Sequence, residues 1–236
     1  MYKPLIIAHR GDSSRAVENS LEAFRLALTV PTDMIEFDLR MSRDKVLYVL
    51  HDKNTGRTAD RTVDIEQASS QEISLVRLKN GEPVPTLEGV FKLVAGAVGL
   101  NIEIKSDGAG AALVGPLSQY RQSGSVIVSS FKESEVLSIR KALPDLPVAV
   151  IYDTFSIRHI AEYKSKGYGL ISLRKNTVTE PLVKACHAQG LQVYVWTVDD
   201  EEEIKRCIAW EVDGIYTNKP AVLKELIGKS PVAKTR

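Results

Sequence analysis

Met34-Ile35-Glu36-Phe37-Asp38-Leu39 alternates carboxylates with large apolar side chains, and this alternation decides the fold. Successive side chains of a strand point to opposite faces, so Glu36 and Asp38 share one face while Ile35, Phe37 and Leu39 share the other. Leu100-Asn101-Ile102-Glu103-Ile104-Lys105 repeats the design, with Ile102 and Ile104 on one side and Asn101, Glu103 and Lys105 opposite. One-sided strands suit antiparallel sheets, but the segments before both have helical patterns. Leu21, Phe24 and Leu28 form one apolar stripe, and Leu87, Val90, Phe91 and Val94 form another. An apolar outer face under helices and a charged face turned inward is the layout of a barrel with its chemistry at the mouth. An open doubly wound sheet would instead leave Glu36, Asp38 and Glu103 under helices, where charge is costly.

The rest of the chain fits the same scheme. Leu5, Ile6 and Ile7 read as a buried strand that runs into Ala8-His9-Arg10-Gly11, a titratable ring, a fixed cation and a flexible glycine at a strand's C-terminal end. Asn19 with Glu22 three residues on has the logic of a capping box and predicts the start of the first helix, which Pro31 ends. Residues 46–50 form a second apolar run after the polar turn 42–45. A hairpin centred between Asp44 and Lys45 brings His51 opposite Asp38. Residues 53–80 are polar and without a clear strand, which predicts an insertion over one end of the domain.

Further strands are expected at 126–129, 148–151, 169–172, 192–196 and 214–216, with helices such as 132–143 and 181–189 between them. Pro144 stops the former, and Gly190 follows the latter as its C′ residue. Without the hairpin's return strand, eight parallel strands remain. At 236 residues this predicts an α/β fold, a (β/α)8 TIM barrel in a single domain over 1–236, with 53–86 as a small segment inserted after the second strand.

A formal net charge of +1, with 26% charged residues, gives no reason to expect nucleic acid or an acidic membrane surface as partner. Cys186 and Cys207 both fall in predicted helices, so buried thiols in a reducing compartment are expected rather than a disulfide. The first strand begins too early for a signal-peptide layout, and no apolar run approaches the ~18 residues of a membrane span. A soluble cytoplasmic protein with no membrane anchoring is the expectation, and the basic tail after Gly228 reads as a solvated end.

A barrel gathers His9, Arg10, Glu36, Asp38, His51, Glu103, Lys105 and Trp196 at its mouth. Three carboxylates without thiolates are hard oxygen donors, and packed together they need a cation, which favours Mg²⁺ or Ca²⁺ over Zn²⁺. Arg10 and Lys105 beside such an ion suit a phosphate or phosphodiester, although Lys105 can also form an internal salt bridge with Glu103. The two histidines suit acid and base roles. Trp196 either lines the pocket or fills the core. His159 and His187 fall on helices and read as surface residues.

His9-Arg10-Gly11, Glu18-Asn19-Ser20, Glu36-x-Asp38, His51-Asp52, Pro85-Thr86-Leu87-Glu88, Asn101-x-Glu103-Ile104-Lys105, Ser130-Phe131, Val195-Trp196-Thr197-Val198 and Val212-Asp213-Gly214-Ile215 come in this order along nearly the whole chain. As a set they resemble the glycerophosphodiester phosphodiesterases. The resemblance implies a TIM barrel, a divalent ion held at Glu36, Asp38 and Glu103, and catalytic histidines at His9 and His51. It also implies phosphate contacts from Arg10 and Lys105 and an aromatic pocket wall at Trp196. The implied reaction splits a small-molecule glycerophosphodiester into glycerol 3-phosphate and an alcohol by way of a cyclic phosphate.

Four positions depart from the family pattern. Val17 and Ser20 stand where Pro and Thr are usual, Gly56 stands where an acidic residue commonly precedes the position of Arg57, and Asn218 stands for a usual Asp. Rival readings are a metal-dependent barrel isomerase or lyase using Lys105 as base, a non-catalytic barrel binding a phosphorylated ligand, and a lysophospholipase D-like activity.

Overall fold

The computed structural model describes residues 3–121 and 124–229; residues 230–236, the greater part of the expected solvated tail, lie outside them. In chain order the elements begin with β1 (Leu5–His9), α1 (Leu21–Leu28), β2 (Met34–Met41), β3 (Leu47–Val49), α2 (Ser70–Ile73), α3 (Leu87–Val94) and β4 (Gly99–Ile104). They continue with α4 (Ala109–Tyr120), β5 (Val126–Ser130), α5 (Glu133–Ala142), β6 (Val148–Tyr152), α6 (Ile160–Ser165) and β7 (Leu170–Arg174). The last are α7 (Glu180–Ala188), β8 (Gln192–Trp196), α8 (Glu201–Ala209), β9 (Gly214–Thr217) and α9 (Pro220–Lys229). All strands except β3 pair in parallel with their neighbours, and β1 pairs with both β9 and β2, which closes the sheet. The protein is a (β/α)8 barrel, as the strand alternation requires.

Side-chain alternation separates two apolar regions. Ile6, Ile35, Phe37, Leu39, Ile102 and Ile104 point outward into the layer shared with the helices. Ile7, Met34, Ile127, Ala149, Leu170, Tyr194 and Tyr216 point inward and fill the lower part of the barrel. The next inward positions of the first strands, His9, Glu36, Asp38 and Glu103, are polar. Register aligns them, with His9 opposite Glu36 and Asp38 opposite Glu103. The barrel is thus apolar below and polar above.

The insertion differs from its polar reading. Ile65, Ile73, Val76 and Leu78 are buried with Tyr48 and Leu50 in a separate small core, and α2 carries a capping box from Ser69 and Glu72. These apolar residues are too widely spaced along the chain to show either period, so the sequence pattern conceals them. Cys186 and Cys207 are buried free thiols. No helix among the described residues is long and apolar enough to cross a membrane.

The turn out of β1 depends on Gly11. Its φ is +82°, and a Cβ there would stand 2.7 Å from the backbone carbon of Ala23 in α1. Gly190, after α7, has φ +65° with nothing within 4 Å of a Cβ. Gly190→Ala therefore incurs only the left-handed strain, about 1 kcal/mol, whereas Gly11→Ala adds overpacking and is expected to cost ~3 kcal/mol in total, as denaturant unfolding can measure.

Candidate active site

β1 delivers His9 to the barrel mouth, and the following turn points Arg10 back across it. Arg10 and Gly11 both have positive φ, which lets the Arg10 N–H donate to Glu36 Oε2 at 2.9 Å. The Arg10 guanidinium then lies between Glu18 Oε1 at 2.9 Å and Asp38 Oδ2 at 3.1 Å. Asn19 does not cap α1. Ser20 does, accepting from the Ala23 N–H, while Asn19 takes a left-handed φ of +58° and turns its amide inward. Its Nδ2 donates to Asp38 Oδ2 at 2.8 Å. Two adjacent residues both able to cap left the sequence ambiguous, and the tolerance of Asn for left-handed backbone settled which one turns in.

Glu36, Asp38 and Glu103 offer ligand oxygens that all lie within 4.8 Å of one another. Glu36 Oε1 is buried without a hydrogen-bond partner, the condition expected of a group awaiting a cation, and Asp38 Oδ1, also without a hydrogen bond, has the ion pair with Lys105. Burial, then the charges of Asp38 and Glu103, push Glu36 well above the usual carboxylate range, and burial with Asp38 pushes Glu103 up to about 7. Burial alone would raise Asp38 too, but Lys105, Arg10 and His51 hold it below the usual range. Lys105 Nζ sits 3.2 Å from Asp38 Oδ1 and also pairs with Glu103 Oε1, so the expected internal salt bridge is present. The three carboxylates fit a hard divalent cation by donor type and by their unmet charge.

The histidines have different backing. His9 Nδ1 is 2.8 Å from Asn218 Oδ1, and burial, then the charge of Arg10, pulls its ring down to about 4. His51 Nδ1 is 2.7 Å from Asp52 Oδ1, and its side chain is 34% exposed. Its route into the site corrects the hairpin register. Ser42 and Val46 close a three-residue loop in which Lys45 takes φ +69°, so Leu50, not His51, lies across from Asp38. A type I turn followed by a left-handed residue moves the pairing centre by half a residue. His51 still reaches the mouth, because Arg40 donates twice to its carbonyl, at 2.9 and 2.7 Å.

His9, Arg10, Glu36, His51, Glu103, Lys105 and Trp196 line one cavity of about 170 Å³, with Asp38 buried at its edge against Arg10 and Lys105. Trp196 thus lines the pocket, its ring edge-on to Phe131 with centroids 5.6 Å apart. Phe131 also lies 5.5 Å from Lys105 Nζ. His159 is exposed and His187 pairs with Asp213, both away from the cavity lining. Sequence reading missed a second ring of contacts. Arg57 of the insertion holds both oxygens of Glu18, at 2.6 and 2.7 Å, and Asp52 Oδ2 at 2.6 Å, tying the insertion to both Arg10 and His51. A Cβ at Gly56 would stand 2.5 Å from Thr62 Oγ1, so an acidic side chain there would have to displace the Thr62 hydroxyl.

A model of the glycerophosphoryl diester phosphodiesterase family matches residues 9–222. The chain is 33% identical over 242 residues to a glycerophosphodiester phosphodiesterase of Caldanaerobacter subterraneus subsp. tengcongensis, covering 96% of this chain and 99% of that one. The crystal structure of a glycerophosphodiester phosphodiesterase from Thermotoga maritima aligns with a TM-score of 0.80 at 25% identity, covering 96% and 100% of the two chains. An Oleispira antarctica phosphodiesterase, solved in complex with its product sn-glycerol-3-phosphate, has the same fold, with a TM-score of 0.88 at 20% identity and coverage of 96% and 97%. With fold, cavity and sequence in agreement, the chain belongs to the glycerophosphoryl diester phosphodiesterase family.

Proposed function

We propose that this enzyme hydrolyses small glycerophosphodiesters to glycerol 3-phosphate and an alcohol with His9 as initial base and His51 as initial acid. The observation that carries the reading is the placing of two differently backed histidines on one cavity with three carboxylates and two cations. Glu36, Asp38 and Glu103 would hold one Mg²⁺ or Ca²⁺, which when bound supplies Lewis-acid stabilisation of phosphoryl charge. His9, kept neutral, removes the proton from the glycerol hydroxyl beside the phosphate ester, and that oxygen attacks phosphorus. His51, held through Nδ1 by Asp52 at the more open side, delivers a proton from Nε2 to the departing alcohol oxygen. Arg10 and Lys105 balance charge on the phosphoryl oxygens. Water then opens the cyclic phosphate with the histidine roles reversed.

The small cavity volume suits a glycerophosphate unit, with the alcohol group extending outward past Phe131, which is 45% exposed. Two buried free thiols suit a reducing compartment, from which we infer a cytoplasmic location.

Glu36→Gln, Asp38→Asn and Glu103→Gln should each weaken divalent-ion binding by about tenfold or more while the fold survives, as calorimetry would register. Because Glu103 must lose its proton to act as a ligand, affinity in the parent protein should rise as pH increases through about 7 and proton release should fall away above it. Unchanged affinity in all three variants would make the carboxylates ordinary internal charges.

The histidine roles separate by leaving group. An alkoxide such as that of choline leaves poorly unless protonated, whereas p-nitrophenolate leaves unaided. In the first turnover His51→Ala should therefore retain most of its rate of p-nitrophenolate release from a glyceryl p-nitrophenyl phosphodiester, while His9→Ala releases either leaving group about 100-fold or more slowly. The opposite pattern would exchange the two roles.

A further inference from the structure

Behind His9 runs a chain of hydrogen bonds that ends on a carboxylate outside the cavity. The Asn218 N–H donates to Asp199 Oδ1 at 2.7 Å, and Asn218 Nδ2 donates to Asp199 Oδ2 at 2.6 Å. Thr217 Oγ1 donates to Asp199 Oδ1 at 2.9 Å, which fixes the carboxylate in turn. A carboxylate only accepts, so the Asn218 amide has one orientation: Nδ2 toward Asp199 and Oδ1 toward His9. That oxygen also only accepts, so His9 Nδ1, 2.8 Å away, carries the ring proton. The neutral ring then keeps its lone pair on Nε2, which faces Thr197 Oγ1 at 3.5 Å at the wall of the cavity.

One neighbour could in principle make the same choice. Ser13 Oγ lies 2.8 Å from Asn218 Oδ1 and 2.9 Å from the His9 carbonyl. A hydroxyl can donate or accept, so Ser13 accommodates either orientation of the Asn218 amide and selects neither. Asp199 is therefore the group that decides. We infer that Asp199 and Asn218 are positioning residues that hold His9 as the Nδ1–H tautomer with Nε2 bare toward substrate. Neither residue lines the cavity, so both act through His9. The catalytic consequence rests on the reading of His9 as the initial base.

The substitution Asp199→Asn tests this with almost no change of shape. Its oxygen can keep the contacts to the Asn218 N–H and to Thr217, which leaves its NH₂ facing Asn218 Nδ2. Two donors cannot face each other, so the Asn218 amide turns over and presents Nδ2 to His9 Nδ1, and the ring proton moves to Nε2. Ring-¹⁵N NMR of histidine-labelled protein, with His9 assigned by comparison with His9→Gln, should show protonated Nδ1 in the parent and protonated Nε2 in Asp199→Asn. The kcat for glycerophosphocholine should fall about 100-fold with KM little changed. The exchanged pair Asp199→Asn with Asn218→Asp restores every donor and acceptor, with the charge moved beside the ring, and should recover the protonated Nδ1.

An Nδ1–H ring retained in folded Asp199→Asn would overturn the inference. A bare Nδ1 in a folded exchanged pair would overturn it as well, and this second variant carries the test if the single one fails to fold. An inverted tautomer with unchanged kcat would support the positioning role and instead remove His9 as the base.

Discussion

The structure depends on placing three carboxyl groups inside a closed sheet without letting their repulsion open it. Glu36, Asp38 and Glu103 lie close together at the barrel mouth, and Arg10 and Lys105 supply the only cations paired with them among the described residues. The carboxylates exceed these cations by one charge. Without an ion, Glu36 and Glu103 accommodate the excess by holding onto a proton, which is the direction in which burial and mutual repulsion move both. A bound divalent ion would turn the excess into one positive charge, the complement of a singly charged phosphodiester. The same electrostatic arrangement thus accounts for tolerance of the buried cluster and, with an ion bound, would favour such a ligand.

This cluster is affordable because the barrel keeps it in one layer. Below it the inward positions are apolar or aromatic, and the Tyr216 hydroxyl accepts from Asn101, which accepts in turn from Ser129 at 2.8 Å. Those neutral bonds satisfy polar atoms of Asn101, Ser129 and Tyr216 at the boundary. Above the cluster the insertion adds Arg57, whose contacts to Glu18 and Asp52 join the supports of Arg10 and His51. A segment outside the barrel therefore stiffens two sides of the cavity at once.

Period-two alternation in β2 and β4 made the barrel and the carboxylates legible, because only an inward face relieves those charges. Trp196 was open between pocket and core, since alternation gives its inward direction but not its depth along the barrel axis. The hairpin register failed by one position because the left-handed conformation of Lys45 has no signature in a lysine. The roles of Asn19, Arg57 and Asp199 were hidden for a different reason: each acts through a hydrogen bond to a residue distant in sequence, and a polar side chain in a loop carries no period to announce its partner.

The two histidines show why that hidden layer matters to chemistry. Both are imidazoles at strand ends on one cavity, and from sequence their roles are interchangeable. Their Nδ1 partners break the symmetry. A neutral amide behind His9 offers an acceptor without a charge, so burial keeps the ring uncharged and fit to take a proton. A carboxylate behind His51 orients the ring with a charged acceptor, and Arg57 shares that carboxylate. In the proposed reaction, acid and base would thus be distinguished by what stands behind each ring, through residues that do not line the cavity.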